Sequence, residues 1–301
     1  SMRMALGEAL TNMSGVVIKG LNNVQVSANW MAASGENSDD FALRSGVEAL
    51  SKIAVDLKVS IPVGKDSLSM RTKWSENNSD YEVSSPLSGV ITAMAPVDDV
   101  TESVTPELNT SDDTSILLIK LNNKNRLAGS IFSEITETKY QHTPDIDDIE
   151  VFEKLFSGIQ NLLKSKKILA MHDISDGGLI TTLLEMCFTK KVGMRLDLDD
   201  SSGVNEFLFS EEIGFAIQIK KNNLDEVTNT LTNENIYVKN IAELIDGEKF
   251  SIFKNDSEIF SKSVIELEKN WRETSHAIQS IRDNEEIANS ELSLLDDENF
   301  Q

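Results

Sequence analysis

Apolar side chains recur every three or four residues over residues 36–58, and this spacing predicts an amphipathic helix. The positions concerned are Leu43, Val47, Leu50, Ala54 and Leu57. A β-branched run follows at 59–63. Its proline, and Gly64 directly after it, predict that this strand ends in a loop. Another strand is predicted over residues 87–96.

The second half of the chain alternates between short apolar runs and amphipathic segments. The predicted strands are 115–119, 168–171, 213–220 and 236–245, and the predicted helices are 147–165, 178–189, 222–233 and a charged one at 258–283. Residues 284–301 are acidic and show no periodicity, so we expect a mobile tail. Mixed strands and helices predict an α+β or an α/β layer domain in this half.

A polar, proline-containing segment at 105–113 separates the two patterns and marks a domain boundary. We therefore predict one domain over 1–108, a second over 112–283 and the acidic tail over 284–301. The opening Ser1-Met2 is typical of a cloning remnant. The residues after it have the pattern of a helix interior, which indicates a piece of a longer chain.

The composition is that of a globular protein with a strong negative charge. The chain has 301 residues, 40% hydrophobic and 26% charged, with 50 acidic and 28 basic side chains and a net charge of −22. This charge repels nucleic acid and anionic membranes, so neither is expected as a partner. The acidic excess is either a solvated surface or, where gathered in a cleft, an attraction for divalent metal.

Cys187 is the only cysteine and lies in an apolar run, so it is expected to be a core residue rather than a nucleophile. An intramolecular disulfide is excluded, and a reducing cytoplasm fits. The chain shows neither an apolar stretch long enough to cross a bilayer nor the apolar core of a signal peptide. We expect a cytoplasmic protein.

Three segments carry residues suited to binding chemistry. Glu8 and Asn12 are four residues apart in the predicted opening helix and share one face, where their oxygens could hold a hard cation or form an ordinary polar surface. Residues 172–178 join a strand, two glycines and a helix start. Such a start binds phosphate, and Asp173 and Asp176 are donors that suit magnesium. The alternative is an N-cap by Ser175 or Asp176, with the glycines only relieving the turn.

The third segment, residues 62–70, is not a P-loop. Val59 stands where that motif needs glycine, and Asp66 stands where it needs serine or threonine after the lysine. The segment still offers a glycine followed by a cation, a carboxylate and two hydroxyls, which suit either an anionic phosphorylated ligand or a solvated turn.

Glu211 and Glu212 are neighbours in a predicted extended segment, where side chains alternate, so they are not expected to act on one atom.

Six ordered motifs resemble the large, single-chain phosphoribosylformylglycinamidine synthases. They are GEALTNM at 7–13, SANWM at 27–31, IPVGKDSLSM at 61–70, SPLS at 85–88, HDISDGG at 172–178 and FSEEIG at 209–214. The resemblance spans roughly residues 2–285 and is to the second only of the two related synthetase halves in that family. It implies an α+β fold of the aminoimidazole ribonucleotide synthetase superfamily, with an N-terminal α+β half-barrel domain and a C-terminal mixed α/β layer domain.

The resemblance also implies an activity. The family's ATP- and glutamine-dependent ligases convert formylglycinamide ribonucleotide to the amidine in purine biosynthesis. The glutaminase domain and the first synthetase half are missing here, so we expect no catalytic residue in this piece and no activity from it alone. Those missing domains are the expected partners, and a homodimer of the piece is a further possibility. Alternatives are a stand-alone aminoimidazole ribonucleotide synthetase-like enzyme and a nucleotide-stabilised scaffold without catalytic side chains.

The resemblance assigns site residues and cofactors by position. The magnesium ligands are Glu8, Asn12 and Asp173, the nucleotide contact is Ser175, and the substrate cleft is lined by Asn29, Gly64, Lys65 and Ser67. The implied cofactors are magnesium and ATP or ADP, held as an auxiliary Mg–ADP site. We therefore expect Glu8 and Asp173 to converge on one magnesium ion.

Overall fold

A computed structural model describes residues 1–35, 37–198 and 203–297 of the chain. The chain divides into two compact units. The first unit contains residues 1–103 and 145–164, and the second contains 104–144 and the residues from 165 onward. The predicted two-domain α+β fold class is confirmed, because both units combine helices with β-sheets.

The described residues of the first unit form three α-helices and five strands. These are α1 (Met2–Asn12), β1 (Gln25–Met31), α2 (Asn37–Asp56), β2 (Ser60–Ser67), β3 (Arg71–Glu76), β4 (Ser79–Ser84), β5 (Ser88–Met94) and α4 (Ile149–Lys164). Three strands form a sheet in the order β2-β1-β5, in which β1 is parallel to β2 and antiparallel to β5. The segment β1-α2-β2 is therefore a parallel βαβ crossover.

One face of this sheet forms the core of the first unit. Burial alternates along β1, so that Val26, Ala28 and Trp30 are buried and the residues between them are more exposed. Leu50 and Ala54 of α2 and Leu57 just after it are also buried, as the helical spacing predicts, whereas Val47 on the predicted face is exposed. The β1 residues on the other face of the sheet, Ser27, Asn29 and Met31, are partly exposed.

Strand β2 extends further than the sequence predicts. The predicted strand end at Gly64 is wrong, because β2 continues to Ser67. Pro62 is tolerated because β2 is an edge strand and its register with β1 shifts next to this proline. A side chain at Gly64 would fall on the carbonyl oxygen of Ala28, so glycine allows the close approach of the two backbones.

Strands β3 and β4 form a separate hairpin that the sequence analysis does not predict. Asn77 and Asn78 connect them with φ angles of 51° and 61°, the left-handed conformation of a two-residue type I′ turn. Trp74 and Tyr81 are cross-strand partners whose rings stack with centroids 5.3 Å apart. This stacking compensates in part for the small size of a two-stranded sheet.

Helix α4 belongs to the first unit, although the sequence analysis includes its residues in the predicted second domain. The reason is a buried polar contact in addition to its apolar face. Gln160 accepts a hydrogen bond from Ile18 N at 2.9 Å and donates to the carbonyl oxygens of Ser14 and Val16. These bonds satisfy backbone groups that α1 and the following turn leave unpaired.

The second unit contains a seven-stranded sheet and six helices within the described residues. Its elements are β6 (Thr114–Lys120), α3 (Ile131–Ile135), β7 (Ile168–Asp173), α5 (Gly178–Phe188), β8 (Gly193–Leu198), α6 (Val204–Phe209), β9 (Gly214–Lys220), α7 (Leu224–Thr232), β10 (Tyr237–Ile245), β11 (Lys249–Lys254), β12 (Ser257–Ser263), α8 (Val264–Arg282) and α9 (Glu285–Ser293). The strand order is β12-β11-β8-β10-β6-β9-β7. The sheet is mixed, because β8 and β11 are parallel and the other pairs are antiparallel.

The core of the second unit lies against this sheet. All seven residues of β6 are buried, which explains the continuous apolar run in the sequence. Leu183 and Met186 of α5, Phe207 of α6 and Val264 of α8 join the same hydrophobic cluster. Cys187 belongs to it too, so its assignment as a core residue is confirmed, and burial raises the pKa of its thiol.

Two predictions near the C-terminus are wrong. Residues 257–263 form strand β12, and the charged helix begins only at Val264. The acidic segment predicted to be without pattern contains helix α9, which Asn284 caps by accepting from Ile287 N, and its Ala288 is buried. Residues 298–301 lie outside the described residues. No helix of the described ranges is both long and apolar enough to cross a membrane.

Candidate functional site

The glycine turn between β7 and α5 is the candidate site of the second unit. Strand β7 ends at Asp173, and Gly177 and Gly178, which precede and open α5, have φ angles of 84° and 73°. Other residues adopt this left-handed conformation only at a cost. The two adjacent glycines of the motif are therefore needed by the turn itself.

The structure brings the glycine turn together with the segment 209–214. A side chain at Gly178 would lie 2.6 Å from the backbone carbon of Phe209 and 2.9 Å from the carbonyl oxygen of Ser210. Ile174 N donates to Gly214 O at 2.9 Å. Two motifs that are more than thirty residues apart in sequence thus form one site.

Glu211 caps the start of α5. Its Oε1 accepts hydrogen bonds from Gly177 N and from Ile131 N at the start of α3, both at 2.9 Å. Burial raises the pKa of Glu211, and the two N–H groups oppose that shift. The alternative interpretation, a cap by Ser175 or Asp176, is wrong, because a carboxylate from a distant segment accepts the hydrogen bond from Gly177 N. The same carboxylate already occupies an N–H group that the sequence analysis assigns to phosphate.

Glu212 points elsewhere, as the alternation of an extended segment predicts. Its carboxylate forms a two-pronged ion pair with Arg126, with Nε–Oε1 and Nη2–Oε2 distances of 2.6 and 2.7 Å. The amide of Arg126 also donates to Glu212 Oε1. Both glutamates therefore bind protein groups, and their assignment as structural residues is consistent with these contacts.

Asp173 has the properties of a metal ligand. Only 8% of the residue is exposed, and its Oδ2 is buried without a hydrogen-bond partner in the described part of the chain. A buried carboxylate oxygen is costly unless something binds it. Magnesium prefers carboxylate oxygens and keeps water and nucleotide phosphates as its remaining ligands, so one such oxygen fits a magnesium–nucleotide site.

His172 links Asp173 to the rest of the unit. Its Nδ1 lies 2.9 Å from Asp173 O and 3.3 Å from Asp173 Oδ1, and its Nε2 lies 2.9 Å from Glu185 Oε2. Burial lowers the pKa of His172, but the hydrogen bonds and negative charges of Asp173 and Glu185 outweigh it and raise the pKa to about 9. Glu185 Oε1 in turn accepts from the indole N–H of Trp271 at 3.0 Å. Sequence reasoning missed Glu185 and Trp271, because neither lies in a motif.

The predicted ligands Glu8 and Asn12 lie together on the exposed face of α1, in the first unit. Asp173 belongs to the second unit. Among the described residues, no group of three or more His, Cys, Asp or Glu side chains is placed to hold a metal ion. The convergence of Glu8 and Asn12 with Asp173 on one magnesium ion therefore stays a prediction.

The predicted substrate-cleft residues are neighbours in the first unit. Asn29 of β1 is the register partner of Lys65 in β2, and Lys65 Nζ donates to Ser67 Oγ at 2.6 Å. Alternation along the two strands places these three side chains on the face opposite the core. Gly64 packs its backbone against Ala28. An amide, a cation and a hydroxyl thus form one exposed polar strip.

Two family profiles match the chain, one in each half. Residues 1–96 match the FGAR-AT PurM_N-like domain, and residues 113–255 match the C-terminal domain of AIR synthase related protein.

Solved structures share the fold. PurL from Thermotoga maritima complexed with FGAR is 11% identical, with a TM-score of 0.65 over 88% of this chain and 42% of that chain. The same enzyme complexed with ATP is 11% identical and gives a TM-score of 0.64, over 87% of this chain and 40% of that chain. HypE from E. coli, a hydrogenase maturation protein, is 13% identical, with a TM-score of 0.60 over 87% of this chain and 78% of that chain. The chain thus spans about two fifths of the PurL chains that it matches.

Proposed function

We propose that this chain, which belongs to the AIR synthase superfamily as a PurL-like synthetase half, forms part of an ATP-dependent amidoligase of purine biosynthesis. Its two matched domains are an FGAR-AT PurM_N-like domain and an AIR synthase related C-terminal domain. In this proposal the second unit binds a magnesium–ADP or magnesium–ATP complex at the glycine turn. The first unit supplies one wall of the cleft for a phosphorylated substrate. The catalytic groups come from other domains of the same enzyme.

The observation that carries this proposal is the unpaired oxygen of Asp173. A buried Oδ2 that has no partner among the described residues, at the end of a strand and before a glycine turn, suits a magnesium ion bound to nucleotide phosphates. PurL structures of the same fold contain ATP, ADP and AMPPCP, which supports a nucleotide ligand. Ser175 lies in the same turn and is proposed as a nucleotide contact.

The proposed role of each residue follows from its side-chain chemistry. Asp173 holds the metal, and the magnesium ion neutralises phosphate charge when it is bound. Glu211 accepts hydrogen bonds from Gly177 N, before α5, and from Ile131 N, at the start of α3, and so keeps the glycine turn in one conformation. Lys65 and Ser67 provide a cation and a hydroxyl for an anionic substrate.

The substitution Asp173→Asn tests the metal site. It keeps the shape of the side chain but replaces a charged ligand by a neutral one, so we expect affinity for Mg–ADP to fall roughly 100-fold. Isothermal titration of the chain with ADP in the presence of magnesium measures this. Asp225→Asn, at an exposed position in the first turn of α7, is the matched control and is expected to change nothing. Equal affinities for wild type and Asp173→Asn would contradict the proposed site.

The substitution Lys65→Met separates a substrate cleft from a scaffold. If the polar strip binds substrate in the transition state, turnover of the complete amidoligase falls by roughly a hundredfold or more while the melting temperature stays the same. Lys73→Met, on the exposed hairpin, is the control. Turnover unaffected by Lys65→Met would instead favour a nucleotide-stabilised scaffold without catalytic side chains.

A further inference from the structure

A chain of three hydrogen bonds runs from helix α8 to Asp173. The indole N–H of Trp271 donates to Glu185 Oε1 at 3.0 Å, and Glu185 Oε2 lies 2.9 Å from His172 Nε2. The other ring nitrogen, Nδ1, lies 2.9 Å from the backbone oxygen of Asp173. The first two links join α8 to α5 and α5 to β7, and the third lies between adjacent residues at the end of β7.

These hydrogen bonds reach only the backbone oxygen and Oδ1 of Asp173. His172 Nδ1 is 3.3 Å from Asp173 Oδ1, whereas Oδ2 has no partner among the described residues. A hydroxyl from α5, Thr182 Oγ1, also donates to the Asp173 backbone oxygen, at 3.1 Å. The backbone and one carboxylate oxygen of Asp173 are thus held, and the second oxygen is left for a ligand.

We propose that Glu185 and Trp271 are positioning residues for the metal site. Glu185 fixes the ring of His172, and the ring in turn fixes the carboxylate plane of Asp173, so that Oδ2 faces the magnesium ion. Trp271 fixes the rotamer of Glu185 through its N–H group. This proposal rests on the proposed function, because it assumes that Asp173 binds the metal.

The physical reason is the cost of ordering a carboxylate. A free aspartate samples several rotamers, and a metal must then offset the entropy lost on binding. A neighbouring group that fixes the rotamer beforehand removes this cost, and losing such a group typically weakens metal affinity about 10- to 100-fold. Trp271 is well placed for this role, because its ring also packs on Phe188 of α5, with ring centroids 5.8 Å apart.

The location of Trp271 also gives α8 a role at the site. The helix is anchored at Val264, which is completely buried in the core of the second unit. Glu268 and Arg272, on either side of Trp271, form an ion pair with an Nη2–Oε1 distance of 2.6 Å. The indole, 52% exposed, therefore projects from a helix whose start is held in the core, and α8 contributes to the metal site without contacting the metal.

The test measures Mn²⁺ binding in the presence of ADP by electron paramagnetic resonance, on the whole chain. Glu185→Leu removes both hydrogen bonds and is expected to weaken Mn²⁺ affinity by at least about tenfold. Trp271→Phe keeps the ring but removes the donor, and a smaller weakening is expected. Glu185→Gln keeps an acceptor for Trp271 and can donate through its amide N–H to Nε2 of a neutral His172, so it is expected to retain most of the affinity.

Controls separate this proposal from the proposed function. Glu226→Leu removes a glutamate of α7 that forms an ion pair with Lys167, and it is expected to leave Mn²⁺ binding unchanged. Loss of binding in Asp173→Asn together with unchanged binding in Glu185→Leu would overturn the positioning role and leave the metal site intact. Unchanged binding in Asp173→Asn, or no binding by the wild-type chain, would overturn both. If Glu185→Leu lowers the melting temperature, the test rests on Trp271→Phe, provided that its melting temperature is unchanged. Weaker Mn²⁺ binding by Trp271→Phe then supports the positioning role, and unchanged Mn²⁺ binding overturns it.

Discussion

Replacement of Arg126 by methionine is expected to destabilise the second unit by about 3–5 kcal/mol. The side chains of Arg126 and Glu212 are only 14% and 5% exposed, and they form two charge-assisted hydrogen bonds. Methionine fills much of the volume of the arginine but leaves the Glu212 carboxylate buried without its partner. The free energy cost of that unpaired charge dominates the expected effect.

A nearby lysine does not compensate for this loss. Burial lowers the pKa of Lys120 to about 8, although the charge of Glu212 opposes the shift. Its Nζ donates to Lys124 O at 2.7 Å and to the side-chain oxygen of Asn125, so it is committed to a neighbouring loop. The carboxylate of Glu212 therefore depends on Arg126.

Urea denaturation followed by circular dichroism measures the change as a lower transition midpoint. The double substitution Arg126→Met with Glu212→Leu removes both charges and is expected to recover much of the lost stability. Arg44→Met breaks an exposed pair with Glu48 on α2 and serves as the control, with no measurable change expected. A midpoint for Arg126→Met equal to that of the control would show that the pair contributes nothing.

Gly178→Ala is expected to destabilise the second unit by about 3 kcal/mol. Two costs add up at this position. The φ angle of 73° costs an L-residue about 1–2 kcal/mol, and overpacking typically costs about 1–3 kcal/mol. The new methyl group would meet backbone atoms of Phe209 and Ser210, which have no rotamers through which to move away.

Gly247→Ala separates these two costs. Gly247 also has a positive φ, of 89°, but a methyl group there would meet nothing within 4 Å. This control is expected to lose only the backbone contribution, about 1 kcal/mol, in the same urea experiment. If both variants lose the same stability, the close approach between the glycine turn and segment 209–214 is not as tight as the structure shows. Mg–ADP binding is expected to fall in Gly178→Ala, because the turn beside Asp173 must shift.

The sequence by itself determined most helices and strands with a strong period. The helix predicted over 147–165 and the strand predicted over 115–119 match α4 and β6 closely, because apolar spacing directly reflects which face is buried. Elements whose residues do not follow a clean period escaped prediction. Strand β12 was assigned to a helix, because its charged residues lie on a partly exposed edge strand.

The residues of the candidate site likewise fall into those that the sequence predicts and those that only the structure shows. The motif 172–178 was recognisable from sequence, because the turn needs two glycines and the strand end carries a carboxylate. Its partners were not, since Glu211, Glu185 and Trp271 come from distant segments. The assignment of Glu8 and Asn12 as further ligands remains a prediction from resemblance.

The sequence determined the fold class, the two-domain plan and the identity of Asp173 as a candidate ligand, because these depend on local periodicity and on side-chain chemistry. Only the tertiary structure decided that α4 packs with the first unit, that β2 continues through Lys65 and that a distant carboxylate caps α5. The physical reason is that hydrogen bonds and ion pairs are formed between atoms that are close in space. Sequence separation does not limit them, so no local pattern records which partners will meet.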